Sequence, residues 1–334
     1  MLRAARHSLP CPDRHPPARG LQFCALAVTM LLLAGCIRPL QPPTVTAPES
    51  SAAPQPRPAA TAPIEAAAAP DQVAEYFASL EAQRLSKGLL RRDRAPRDLP
   101  VSTHLVEEAF VRVALYEEYV LTGTRVIERE TPSSLRRWQA PVRMQMTFGD
   151  SVPASTRGSD AAFVTRYAAR LSGLTGHPVS RVDRGGNFHV LVLNEAERRN
   201  SGPQLQQLIP GLDSVTLDLV RDLPLTVSCL VLAFSRSGTD TYTDALAIIR
   251  AELPDLSRRA CYYEELAQGM GLPNDSPRAR PSLFNDSAEF AVLTVLDEQL
   301  LRILYDPRLR PGMREAEARP VIRSIINELM AGES

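Results

Sequence analysis

Glu264-Glu265-Leu266-Ala267-Gln268-Gly269-Met270-Gly271-Leu272-Pro273-Asn274 is the stretch on which the reading of this chain turns. Positions 264 and 268 are four apart, so on a helix their side chains share one face. Gly271 is the residue type that lets a chain reverse after a helix, which would carry Asn274 back toward that face. The apolar spacing predicts this helix over Leu256–Met270, introduced by Leu253-Pro254-Asp255. A Pro-rich loop follows, and two further helices are expected over Thr294–Tyr305 and Arg314–Met330.

Upstream, Val142, Met144, Met146 and Phe148 alternate with Arg143, Gln145 and Thr147, the period of a half-buried strand. Asp160–Leu174 reads as a helix and His189–Leu193 as a strand, the latter preceded by the turn residues Arg184-Gly185-Gly186-Asn187. Val227–Phe234 is nearly all apolar and is expected to be a central, buried strand. Ser235–Thr239 would turn it toward a partner at Ala245–Ile249. Before all of these lie a helical segment at 73–90, broken by Arg91-Arg92-Asp93-Arg94, and an amphipathic helix at 104–119. This lead-in ends near Trp138, the one tryptophan. Strand, helix, strands, helix, loop and helices in that order predict an α+β or α/β domain with a mostly sequential sheet.

Laid against the metzincin motif H-E-x-x-H-x-x-G-x-x-H, the quoted stretch resembles it with the glutamate kept as Glu265 and the glycine as Gly271. Glu264, Gln268 and Asn274 stand where the family has its zinc-binding histidines. The resemblance spans roughly residues 141–305. It implies a strand and an antiparallel edge hairpin before the motif helix, as Val227–Ile249 suggests, then a tight turn under the site. Pro281-Ser282-Leu283-Phe284-Asn285 occupies that turn, with Phe284 near the place of the family's methionine. The fold class expected is therefore α+β: a metzincin-like (zincin-type) domain with a mixed sheet, a motif helix and C-terminal helices.

A nearer resemblance rests on Cys261, Gly271-Leu272-Pro273-Asn274-Asp275, Phe284-Asn285-Asp286, Tyr305-Asp306-Pro307-Arg308-Leu309 and Pro311-Gly312-Met313, together with Arg137-Trp138 and Pro141-Val142-Arg143. These look like the proteobacterial lipoprotein family called domain of unknown function 2927, over most of residues 110–330. The resemblance implies an exported, often lipid-anchored domain and brings no activity with it.

The candidate cleft is Glu264, Glu265, Gln268, Asn274 and Asp275. One carboxylate and two amides make a poor zinc set, because zinc favours imidazole and thiolate. No zinc and no cofactor is expected. A hard cation held by the oxygens of Glu264, Gln268, Asn274 and Asp275 is the open alternative. Glu264 and Glu265 as an acid–base pair is another, weakened because helix neighbours point about 100° apart. The reading favoured here is structural, with Glu264 and Gln268 a buried polar pair in place of a metal. His104, His177 and His189 show no i, i+4 pairing and are read as surface or core residues. In Tyr305-Asp306-Pro307-Arg308, an Asp-Pro helix stop with Arg308 anchoring a carboxylate is favoured over a binding surface. Asn274-Asp275 and Asn285-Asp286 read either as a polar cluster across the cleft or as turn residues.

At the N-terminus, an apolar run from Leu21 ends in Leu33-Ala34-Gly35-Cys36, which resembles the lipobox of bacterial lipoproteins. The run is too short for a membrane span and suits a signal peptide. The expected organisation is a signal peptide at 1–35, lipidation at Cys36, a Pro/Ala-rich tether at 36–70, a helical lead-in at 71–100 and the metzincin-like domain at 101–334. Ile37, where an Asp would follow the cysteine for inner-membrane retention, implies by the same resemblance the outer membrane, facing the periplasm. With Cys36 acylated, Cys229 and Cys261 remain as an even pair, read as a disulfide or as two buried thiols. Lys and Arg total 38 against 38 Asp and Glu, and no such balanced charge marks a nucleic-acid binder. The expected partners are the membrane, through the lipid, and a peptide or cell-envelope component. The function expected is a catalytically degenerate domain that binds such a component, with an envelope hydrolase built on Glu264 and Glu265 as the alternative.

Overall fold

The computed structural model describes residues 70–332 apart from 123–124, 237 and 286. The signal segment, Cys36, nearly all of the tether and Asp286 lie outside them. Helix α1 (Pro70–Ser86) and helix α2 (Thr103–Ala114) come first. Ser102 caps α2 by accepting from the Leu105 amide at 3.2 Å. There follow a hairpin of β1 (Tyr116–Thr122) and β2 (Arg125–Pro132), the two-residue β3 (Arg137–Trp138), β4 (Val142–Phe148), α3 (Ala154–Thr175), β5 (Val179–Val182) and β6 (Phe188–Leu193). Three short helices come next: α4 (Glu195–Arg199), α5 (Gly202–Leu208) and α6 (Ser214–Arg221). The chain ends with β7 (Cys229–Ser235), β8 (Thr241–Arg250), α7 (Asp255–Gln268), α8 (Val295–Leu304) and α9 (Glu315–Gly332).

Strands β5, β4, β6 and β8 lie side by side in that order, all parallel, and β7 adds antiparallel to β8 at the edge. The fold is thus mixed α+β, as expected, but the sheet is not sequential. After β5 the chain passes over β4 at Gly186 and enters β6 on its far side. A Cβ on Gly186 would sit 2.4 Å from the Gln145 Cβ, so only glycine allows so close a crossing. The Gly186 amide bonds the Gln145 side chain at 2.9 Å, and the Asn187 side chain accepts from the Arg143 amide at 2.7 Å.

Both sheet faces are covered. Val190, Val192, Ala245, Ala247 and Ile249 enter the main core with Val164, Leu266 and Leu300, and Leu191, Leu193, Leu246 and Ile248 enter a smaller one with Leu205 and Val220. Each such fully buried Val, Leu or Ile side chain contributes about 1.5–3 kcal/mol. This double cover explains why β6 is buried at every position and reads as an apolar run interrupted only by His189.

Two expectations about elements need correction. Val227–Phe234 is not a central strand: β7 is an edge strand, and each of its residues is only half-buried. Its apolar character comes from packing on both cores, Val231 and Ala233 on one and Leu232 and Phe234 on the other. The β7–β8 register runs regularly from Cys229 and slips between Phe234 and Ser235. The helix expected at 104–119 stops at Ala114, and the chain turns at once into β1. Pairing with β2 there overrides the helical spacing of Tyr116 and Glu117.

Candidate functional site

Helix α7 starts behind Pro254, with Asp255 in its first turn, where a negative charge faces the helix dipole favourably. Its inner face buries Cys261, Tyr262, Glu265, Leu266 and Gln268. Cys229, first residue of the edge strand, is disulfide-bonded to Cys261 with a Cα–Cα distance of 6.0 Å. That confirms the pairing and fastens β7 to the middle of α7.

The same junction holds the two adjacent carboxylates. One ligand-capable atom each from Cys229, Glu264 and Glu265 lie within 4.8 Å of one another. Among the described residues no other group of three or more His, Cys, Asp or Glu side chains converges this way. Sequence reasoning paired Glu264 with Gln268 and Asn274 and did not bring Cys229 into the cluster. The signal available was the spacing Cys261, Glu264, Glu265, which places all three on adjoining parts of one helix face.

Gln268 and Asn274 are bonded elsewhere. The Gln268 amide donates to the Asp275 carboxylate at 2.8 Å. The Asn274 side chain donates to the Arg112 carbonyl at 2.8 Å, and its backbone amide to the Val113 carbonyl at 3.2 Å. Asn274 thereby ties the post-helix turn to the end of α2. Glu265, Gln268 and Asn274 are 5%, 9% and 1% exposed, so this row faces protein. Asn285 is a turn residue, its Oδ1 accepting from the Ser287 amide at 3.0 Å.

Gly271 reverses the chain as its position suggests, at φ 131°, and a Cβ there would lie 2.3 Å from the Arg136 carbonyl oxygen. Two aromatic donors hold the end of the helix. The Trp138 indole bonds the Gly269 carbonyl at 2.8 Å, and the Tyr305 hydroxyl bonds that of Met270 at 2.9 Å. Burial pushes the Tyr305 hydroxyl well above its usual range, so it stays a donor. Arg308 bonds Asp306 and Glu328, the anchoring role read from the Asp-Pro stop.

In the first turn of α8, sequence reasoning missed Asp297. It is fully buried and accepts from Ser282 Oγ at 2.5 Å and from the Leu283 and Thr294 amides at 3.2 and 2.8 Å. Burial raises its carboxyl to about 6, against the opposing pull of those hydrogen bonds. A second buried set, also missed, joins Arg258 to Asp160 at 2.8 Å and the Tyr262 hydroxyl to Asp160 at 2.8 Å. Both sets are explained by packing: one holds loop 281–294 to α8, the other α3 to α7.

A surface pocket of about 250 Å³ is lined by Arg137, Trp138, His177, Tyr305 and neighbouring residues, and none of the sequence-predicted site residues reaches it. His177 there bonds the Ala140 carbonyl, and burial lowers its basicity. No helix among the described residues is long and apolar enough to cross a membrane.

No curated protein matches the chain. A family model described as protein of unknown function (DUF2927) matches residues 103–324, about two thirds of the sequence and every strand and helix from α2 into α9. The chain belongs to that family of proteins of unknown function, DUF2927.

Proposed function

We propose that this is a lipid-anchored protein of the cell envelope whose domain is a catalytically degenerate relative of metzincins, retained for binding an extended peptide or envelope component. The observation that carries the reading is the edge strand β7 beside the motif helix. Among the described residues β7 pairs with β8 alone, and it is fastened at Cys229 to the helix bearing Glu264 and Glu265. A strand with one bare edge presents a row of backbone donors and acceptors, to which an extended segment adds as a further strand. An antiparallel edge hairpin followed by the motif helix is also the order that the metzincin resemblance implies. Against zinc catalysis stand the replaced ligands, with the Gln268 and Asn274 amides already bonded to Asp275 and Arg112.

The test is metal analysis and peptide cleavage on the purified, disulfide-bonded protein. Neither stoichiometric zinc nor cleavage is expected, while immobilised extended peptides are retained, less so by the Glu264→Gln variant. Stoichiometric zinc together with cleavage that Glu265→Gln abolishes would overturn the proposal. For the anchor, radiolabelled palmitate is expected to enter the wild-type chain and not Cys36→Ala. An unlabelled wild-type chain in an envelope-competent host removes the lipoprotein reading.

One observation favours a second reading, an envelope hydrolase with a carboxylate centre. A carboxylate oxygen of Glu264 and one of Glu265 lie within 4.8 Å of each other although the two are helix neighbours. That reading requires both Glu→Gln variants to lose turnover with an unchanged melting temperature.

A further inference from the structure

We infer that two-electron reduction of the Cys229–Cys261 disulfide opens a transition-metal site of two thiolates and two carboxylates, suited to Zn²⁺. The inference does not depend on peptide binding at β7. Cys261, Glu264 and Glu265 lie at i, i+3 and i+4 on α7, which stacks them over one turn of the helix. Cys229 enters the same space from the strand opposite, and its sulfur and the two carboxylates already lie within 4.8 Å of one another. Around zinc, with metal–sulfur bonds of about 2.3 Å and metal–oxygen bonds of about 2.0–2.2 Å, tetrahedral ligands stand roughly 3.3–3.8 Å apart. Side-chain rotation therefore brings these donors into range, with the backbone left as it is.

The disulfide decides whether the site exists. While the sulfurs are bonded to each other they carry no charge, and two carboxylates alone are too few donors for a tetrahedral ion. Once freed, the two thiolates stand beside the two carboxylates in a partly buried space, with Cys261 4% and Glu265 5% exposed. Sulfur in the donor set selects a borderline-soft divalent ion over calcium or magnesium. The step needs a dithiol reductant. Its first thiolate attacks the sulfur of Cys229, the less buried of the pair, and Cys261 leaves as a thiolate. Its second thiolate attacks the mixed disulfide, Cys229 leaves as a thiolate, and the reductant, now a disulfide, has given its electron pair to the two protein sulfurs. Zinc then takes both thiolates in place of their protons.

The experiment compares disulfide-bonded protein with protein reduced by a phosphine, which contributes no thiol ligand. Each is loaded with Zn²⁺ or Co²⁺ and freed of unbound metal. The reduced protein is expected to keep one metal per chain and the oxidised protein less than a tenth of that, with a sulfur-to-cobalt charge-transfer band only after reduction. The Glu264→Gln/Glu265→Gln double variant should bind zinc at least tenfold more weakly. Equal metal in both redox states overturns the proposal, as does wild-type affinity in the double variant, which would leave the thiols as the sole ligands. Circular dichroism covers loss of fold. Zinc is expected to raise the melting temperature of the reduced chain, and a reduced chain that stays unfolded with zinc present also overturns it.

Discussion

Trp138 Nε1 donates to the Gly269 carbonyl oxygen at 2.8 Å, so the short strand β3 hangs from the last turn of helix α7. The indole is 1% exposed, stacks on Phe188 at 6.3 Å and meets Tyr242 edge-on at 6.1 Å. Trp138→Phe would leave the carbonyl without this donor and a gap beside Phe188. The expected cost is about 2–4 kcal/mol. At about 2–4 °C per kcal/mol for a domain of this size, the melting temperature should fall by roughly 5–15 °C. Thermal denaturation checks it, and a shift under a degree would show that this contact does not hold the helix end.

Asp297 gives the domain an acid-side dependence opposite to that of ordinary carboxylates. Its folded carboxyl titrates at about 6 against 3.8 in the unfolded chain, because it is buried. The folded state therefore binds the proton more tightly, and this group's contribution falls as pH rises from about 4 to 6. The loss is about 2–3 kcal/mol across that window. Denaturant titrations of wild type and Asp297→Asn at pH 4 and pH 7 test it. The wild type's stability relative to the variant should be higher at pH 4, and an equal difference at both pH values refutes the assignment.

Glu195 behaves the other way. Burial pushes its carboxyl up, but hydrogen bonds and charge from Arg198 and Arg250 outweigh that and hold it at about 2. Both arginine side chains are 0% exposed, and Arg250 also bonds the carbonyls of Leu223 and Pro224 at 2.9 Å each. The stabilisation is present above pH 4.5 and is lost as pH falls toward 2, by about 2–3 kcal/mol after allowing for partial exposure. Glu195→Gln should cost about 3 kcal/mol at pH 7, since it strands two buried guanidinium groups. The variant and wild type should converge in an acid-unfolding series, and a constant gap down to pH 2 would contradict the pairing.

Much of this fold can be read from the chain. The alternation over Val142–Phe148 is β4, the spacing after Pro254 is α7, and the even cysteine pair is the disulfide. The misreadings have physical sources. Apolarity in β7 signals cover on both faces, which central and edge strands can share. Helices α4, α5 and α6 span five to eight residues each, too few turns for a period to show. The sheet order depends on a crossing at Gly186, a contact with Gln145 that is 41 residues away in the chain. At the site, the shared face of Glu264 and Gln268 was legible, but Cys229 reaches the carboxylates only through the folded β7–α7 junction. The amides of Gln268 and Asn274 could not be assigned partners from spacing alone, because Asn274 bonds α2, far earlier in the chain.

The slip in register between Phe234 and Ser235 sets a length limit. Regular pairing geometry on β7 extends only from Cys229 to Phe234, roughly 20 Å at about 3.3 Å per residue. Beyond it β8 carries an extra residue, Thr243, and the one-to-one pairing ends. The edge is therefore a ruler about six residues long. For the extended ligand proposed above, regular backbone pairing would cover about that span, so affinity is expected to plateau with ligand length, counted from the disulfide at Cys229.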